Sequence, residues 1–387
     1  MVATTIVTIA ACHYIQSLTG STLPGSPAPT TDEATVLIKP KSDIVGLTMS
    51  ERALIDFYLR SKELSLSLVS SHLTRHHLGA RDNSSVIAIV LLAVLDIFES
   101  GSGAWNVHLE GSKTLIEAGS IDRSSAWDSS VETLLCEAAT FQILGSSLAK
   151  PGALNSESTL PITQIRTSST VAPIGCPVDV LSVIETFALN RRVNGMFALQ
   201  IVADVGYLEH TLHRLRAYDI AAWAMGITVN DPTVPYMDLI RLGTIWKLAA
   251  EIYACHVCFN LTGNASILKP SLVDDLIAGY TFLEREDDDL LKCLIWPTFI
   301  AGAATINQQR RPWVLKTLDR IWHIGYCANT RNAAMVLESL WKKYDLISSK
   351  VMPLDNNPAT AEDLSLGHNA YNWLLELSLL DGSWLFI

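Results

Sequence analysis

Charge is scarce in this sequence of 387 residues. Asp, Glu, Lys and Arg make up 17% of it, against about 25% in an average soluble protein, while 49% of the residues are hydrophobic. A chain this poor in charge and rich in apolar residues buries a core, which excludes disorder over most of its length. Basic residues are the scarcer sign, 28 against 39 acidic ones, giving a net charge of -11 and a pI near 5.4. Holding a polyanion by phosphate neutralisation takes a basic surface, so bulk electrostatic binding to nucleic acid is excluded.

Cysteine is also sparse. Residues Cys12, Cys136, Cys176, Cys255, Cys258, Cys293 and Cys327 are odd in number and mostly set in apolar segments, which excludes a disulfide framework and fits a reducing compartment. The longest unbroken apolar run, Val86 to Leu95, has ten residues, about half the length a bilayer requires, so no membrane association is expected. Met1 to Cys12 is apolar and ends in Ala10-Ala11-Cys12, but no Lys or Arg precedes it, and it is not read as a secretion signal. The sequons at Asn83, Asn260 and Asn264 do not alter that reading. Alternating strand patterns are nearly missing. Thr35 to Lys39 and Trp384 to Ile387 are the mild candidates, so the expected fold class is all-α. No fixed period of 34 or 40 residues recurs, which points to an irregular multi-helix bundle of antiparallel helix pairs.

Residues 1–47 hold the Ser, Thr and Pro rich run Ser21 to Thr31 and are expected to form a flexible lead-in to a helical region over 48–387. From Thr48, Leu54, Phe57, Tyr58, Ser61, Leu64 and Leu68 recur at three and four residue steps, the period of an amphipathic helix. A nearly all-apolar helix is expected over Ser84 to Glu99 and a third over Ala104 to Ala118, joined by the Gly101-Ser102-Gly103 turn. Another covers Ser130 to Leu148. Lys150 to Cys176 is broken by Pro151, Gly152, Pro161, Pro173 and Gly175 and is read as a linker. Helical periods return over Val178 to Ala188, Arg191 to Val205, Tyr207 to Trp223, Tyr236 to Leu261, Leu272 to Arg285, Asp289 to Asn307, Trp313 to Gly325, Thr330 to Tyr344 and Leu364 to Leu380.

Candidate chemistry is thin. Cys255 and Cys258 lie on one helical turn, but a structural zinc site needs a second ligand pair and none has that spacing; their apolar neighbours favour a core helix. His72 and His76, with His77 and Asp82 nearby, lack the intervening glutamate of a zinc-protease helix. His210 and His213 read as a polar helix face. Asp287, Asp288 and Asp289 suit a helix N-terminus better than a cation site. No Gly-x-Ser-x-Gly, Walker or dinucleotide-binding loop occurs. No catalytic, cofactor-binding or metal residue is therefore assigned, and an enzyme is not expected.

Three stretches together resemble the fungal-specific transcription factor domain, the helical regulatory region found with binuclear zinc-cluster motifs. They are Ser50 to Leu59; Leu91 to Glu99 with Trp105, His108, Leu109, Glu110, Gly111, Leu115 and Ile116; and Trp296 to Ala304 with Arg311 to Leu315, Val336 to Glu338, Trp341 and Asp345. Physically, Pro297 suits a first helical turn, the run Ala301-Gly302-Ala303-Ala304 admits a neighbouring helix closely, and Trp105, Trp296, Trp313 and Trp341 are large packing anchors whose indole N–H groups need acceptors. The resemblance implies a nuclear transcription regulator without catalytic residues. Its partners would be a second copy or related chain in a homo- or heterodimer, the transcription machinery or co-regulators, and an unidentified small-molecule effector. The family's six-cysteine zinc cluster is not matched, since the first 130 residues hold only Cys12. Zinc is expected only with a missing N-terminal cluster, and DNA is expected to be reached indirectly or through that missing module. The segment between Leu68 and Ser85 is also shorter than the family's usual pattern. Two other readings stay open at this point: an enzyme or accessory protein of a fungal biosynthetic pathway, and a non-catalytic helical scaffold.

Overall fold

Three- and four-residue apolar spacing dominates the chain, and the structure turns it into helices packed around tryptophan. The computed structural model describes residues 1–23, 48–75, 83–101, 105–119, 129–150, 174–191, 205–283, 289–305, 307–351, 371–380 and 384–387. Among these are fourteen α-helices: α1 (Val2–Thr19), α2 (Met49–Arg75), α3 (Asn83–Glu99), α4 (Trp105–Gly119), α5 (Ser129–Leu148), α6 (Val178–Asn190), α7 (Val205–Ala217), α8 (Ile220–Asn230), α9 (Tyr236–Thr262), α10 (Ser271–Gly279), α11 (Ile295–Ala304), α12 (Arg311–Gly325), α13 (Ala328–Val351) and α14 (Trp373–Leu379). The all-α, multi-helix expectation holds.

The long helix α9 is the centre of the main core. It packs against α6, α7, α8, α10 and α11, and its face from Ile245 to Phe259 is buried almost without interruption. Trp246 of α9 stacks on Trp296 of α11, rings 5.5 Å apart and nearly parallel, and Tyr253 meets Trp296 edge-on. Helix α3, apolar on almost every side, is covered by α1, α2, α4, α5 and α13. A second, smaller core forms where α1, α2 and α3 meet around Cys12, Ile15, Tyr58, Val69 and Leu92.

Several boundaries differ from the sequence expectation. Of the expected flexible lead-in over 1–47, the described part Val2–Thr19 is helix α1, packed on α2 and α3 and closed by Gly20 in the left-handed conformation. Thr5, Thr8 and Gln16 are what hide this in the sequence: polar in type, they are fully buried here because each has a hydrogen-bond acceptor within reach. The expected helix over Tyr207 to Trp223 breaks between α7 and α8, where the Asp219 carboxylate accepts from the Ala222 amide at 3.0 Å and starts a new helix. Leu272 to Arg285 ends as α-helix at Gly279 and tightens into a 3-10 turn over Tyr280–Leu283. Another 3-10 stretch, Asp289–Leu294, leads into α11, so Pro297 lies in that helix's first turn, where its missing N–H leaves no bond unmade. The strand candidate Trp384 to Ile387 is an extended tail whose Leu385 amide donates to Gly101 at 2.8 Å. The other candidate, Thr35 to Lys39, lies outside the described residues, as do most of the expected linker and of the helix over Arg191 to Val205.

Candidate functional site

The residues that carried the family resemblance converge into two clusters. In the first, α2 brings Tyr58 and Lys62 to the end of α3, where the Tyr58 hydroxyl donates to one oxygen of Glu99 and the Lys62 ammonium lies 2.5 Å from the other. One turn earlier, Asp96 sits 4.0 Å from Lys62 and 3.3 Å from Nε2 of His108 on α4. One cation thus serves two carboxylates. Burial outweighs Lys62 at Asp96, and Glu99 adds to it, so the Asp96 carboxyl is pushed up to about 7; burial and then Lys62 hold His108 low. Near neutral pH the cluster holds Lys62 beside Glu99 and an Asp96 carboxyl divided between its protonated and ionised forms next to a neutral imidazole. These groups bond each other across α2, α3 and α4, which makes the cluster a tie between helices rather than a reaction centre.

In the second cluster, the Arg311 guanidinium at the start of α12 makes a two-pronged contact with Asp345 of α13, 2.7 and 2.8 Å, and lies over the ring of Trp341. Hydrogen bonding from Arg311 is the leading cause that holds the Asp345 carboxyl low. The Trp341 indole donates to the Gly302 carbonyl at 2.9 Å, and Trp296 donates to the Ser147 hydroxyl at 2.9 Å. Trp105 is fully buried against Gly145, and Trp313 meets Tyr280 edge-on at 5.1 Å while staying half-buried. All four anchors read from the sequence are packing anchors here. The small-residue run does what its sizes predict: a Cβ at Gly302 would sit 2.6 Å from Leu337 and 2.9 Å from Val314.

Two cavities among the described residues are large enough to hold a small molecule. A central one of about 350 Å³ is walled by Ile97, Phe98, Phe141, Ile295, Ile324 and the C-terminal Ile387, with His13 and the exposed Lys292 among its polar groups. Its walls come from α1, α3, α5, α11, α12 and the tail, so it lies where the small core meets the large one. A second cleft of about 460 Å³ lies beside α9, lined by Ile252, Leu272 and Val273 together with His256, Lys269 and Arg310. Arg310 is paired with Asp274, and burial lowers His256 to about 4, which keeps it neutral at physiological pH. Cys255, also on that cleft, has its thiol raised to about 11, chiefly by burial, so it holds no thiolate nucleophile near neutral pH.

The remaining candidates scatter. Cys255 and Cys258 are both buried in α9, as small core residues. His72 is half-buried near the end of α2, while His76, His77 and Asp82 lie outside the described residues. His210 and His213 are exposed on α7. Asp289 pairs with Lys292 at 2.8 Å, and Asp287 and Asp288 lie outside the described residues. Among the described residues, no three His, Cys, Asp or Glu side chains are grouped to hold a metal ion. The Lys62–Asp96–Glu99–His108 cluster was missed in the sequence as a unit; the signal available was the i, i+3 pair Asp96 and Glu99 on an otherwise apolar helix, which demands partners.

Comparison with known proteins places these features. Acriflavine sensitivity control protein acr-2 of Neurospora crassa is 23% identical over 358 residues, covering 87% of this chain and 56% of the relative. The chain therefore spans about half the length of the curated relative it matches. No solved structure matches. Residues 48–368, which contain both clusters and all four tryptophan anchors, match the family described as fungal specific transcription factor domain. With most of its length matched, and the residues of that match interlocked in the fold, the chain belongs to the fungal specific transcription factor domain family.

Proposed function

We propose that this chain is the regulatory body of a nuclear fungal transcription regulator, non-catalytic, acting through protein partners in the transcription machinery and through a small-molecule effector. The observation that carries the reading is the family match over residues 48–368, and the name of the Neurospora crassa relative, a control protein, supports it. DNA is reached through a partner or a zinc-cluster module outside these 387 residues, since the -11 charge opposes phosphate binding by this chain alone.

The central cavity is the effector site in this reading. Its size falls at the lower end of the range for small-molecule sites, and its walls belong to both cores, so an occupant bears on how the two pack. The walls are apolar and the nearby Lys292 is already paired with Asp289 at 2.8 Å, which favours a neutral apolar molecule. Fusing the chain to a heterologous DNA-binding domain tests the regulatory role: a reporter should change several-fold, and an unchanged reporter with the fusion present in the nucleus refutes it. Thermal-shift screening tests the effector: neutral apolar molecules should raise the melting temperature more than apolar acids or cations, and a preference for charged ligands would refute the assignment.

A further inference from the structure

Exposed apolar side chains are not spread evenly over the molecule. Of the nineteen large ones among the described residues, ten lie on α1 and α2: Ile6, Val7, Tyr14 and Leu18 on the first, and Met49, Phe57, Leu59, Leu64, Leu66 and Leu68 on the second. Helix α1 carries no Asp, Glu, Lys or Arg at all, although much of its circumference faces outward.

The contacts of the two helices fix where these side chains lie. Thr8 meets Ser61 at 2.7 Å and Ser65 at 3.2 Å, and Cys12 is near Tyr58, so α1 and α2 run antiparallel. Gln16 of α1 bonds the Phe98 carbonyl of α3, while Tyr58 and Lys62 of α2 bond Glu99 of α3. At about 100° per residue, going round α1 from the side of Gln16 past Thr8 leads next to Val7, Tyr14 and Leu18. Going round α2 from Tyr58 and Lys62 past Ser61 and Ser65 leads next to Phe57, Leu64 and Leu68. Both stripes therefore lie beyond the α1–α2 seam, on the side away from α3. The antiparallel register sets Val7 beside Leu64, Tyr14 beside Phe57, Ala3 beside Leu68 and Leu18 beside Ala53. They form one apolar band whose aromatic pair lies in the half toward Leu18 and whose other half is aliphatic.

We propose that this band is the interface at which a second copy of the chain docks, by a two-fold axis that lays the half with Tyr14 and Phe57 of one copy over the aliphatic half of the other. The inference is drawn from the packing of α1 and α2 and stands apart from the regulatory reading above. At these exposures the large side chains of the band offer about 600 Å² per copy, or about 1,200 Å² in a symmetric pair that covers all of it, at the lower limit of stable interfaces. A two-fold contact needs a self-complementary patch, which a band with one aromatic and one aliphatic half supplies. Arg60 and Asp56, paired at 2.9 Å, are the charged residues that border the stripe on α2, so the rim brings no net like charge between copies. A lipid surface is the weaker occupant, even though α1 is long and apolar enough to cross a membrane by length and composition: the α1 helix has no basic residue to draw it to anionic headgroups, and the chain is acidic.

Light scattering on the purified chain at about 1–100 µM tests this. The expected mass is twice the monomer's 42.3 kDa, falling to 42.3 kDa in the double variant Tyr14→Glu, Leu64→Glu with an unchanged far-ultraviolet spectrum. Leu66→Glu, on the other flank of α2, should leave the dimer intact. A monomer throughout that range, a dimer indifferent to the double variant, or monomeric wild-type protein that co-floats with phosphatidylcholine or phosphatidylserine vesicles would each overturn the proposal. A dimer that behaves as expected alongside a silent reporter would refute the regulatory reading and leave the interface standing.

Discussion

Replacing Gly302 by alanine sets two effects of opposite sign against each other. In a helix interior, glycine to alanine ordinarily stabilises by about 0.5–1 kcal/mol, because the unfolded chain loses freedom and the helix gains a better former. At Gly302 the new Cβ would stand 2.6 Å from Leu337 Cδ1, 2.9 Å from Val314 Cγ1 and 3.1 Å from Leu337 Cδ2, all inside ordinary contact distance. Leu337 and Val314 are fully buried, so neither has free space to retreat into. Overpacking of this kind costs about 1–3 kcal/mol, which outweighs the helix gain and leaves a net loss of about 1–2 kcal/mol. The backbone at this point also accepts the Trp341 indole bond, so any outward shift of α11 stretches a buried hydrogen bond. Gly226 in α8 is the internal control: it is exposed, nothing lies within 4 Å of its added Cβ, and Gly226→Ala should stabilise by about 0.5–1 kcal/mol. Urea unfolding followed by tryptophan fluorescence reads both. If Gly302→Ala proves as stable as the parent, or gains as Gly226→Ala does, the close approach of α11 to α12 and α13 is not what that glycine is for.

Asp96→Asn should stabilise the fold at pH 8 and have little effect at pH 4. With a folded-state value of about 7 against about 3.9 unfolded, the carboxyl's favourable contribution is complete below about pH 4 and lost as pH rises through about 7, on the order of 4 kcal/mol. Lys62, Glu99, Tyr58, His108 and Cys12 are unchanged in the variant, so the difference between the two denaturation-versus-pH curves isolates Asp96; a flat difference contradicts the assignment. Trp296→Phe removes the donor to Ser147 and part of the stack on Trp246, and chemical denaturation should show a loss of about 1–3 kcal/mol. Arg311→Lys keeps the charge but loses the two-pronged contact with Asp345 and the plane over Trp341, so it should lower stability by about 1 kcal/mol in the same assay, and an unchanged midpoint would refute that role.

Helical period, apolar excess and the scarcity of strand patterns settled the fold class in advance, because a 3.6-residue repeat over so many segments has one way to bury its apolar face. The tryptophans and the Ala301 to Ala304 run were legible as packing devices for the same reason: side-chain size is a local property. What the sequence hid has a common cause, polar residues whose partners are distant in the chain. Thr8 and Gln16 find partners on α2 and α3, fifty or more residues away, and so α1 looked like part of a flexible lead-in. Asp96 and His108 had no visible link until Lys62 and Glu99 gather them across three helices. The exposed stripes of Val7, Tyr14, Leu18, Phe57, Leu64 and Leu68 were visible as apolar positions. Sequence alone put Phe57, Leu64 and Leu68 on one helical face and left Val7, Tyr14 and Leu18 in the expected lead-in, and the packing of α1 on α2 and α3 turned all six outward, since a helix has two flanks and only contact with its neighbours decides which one is buried.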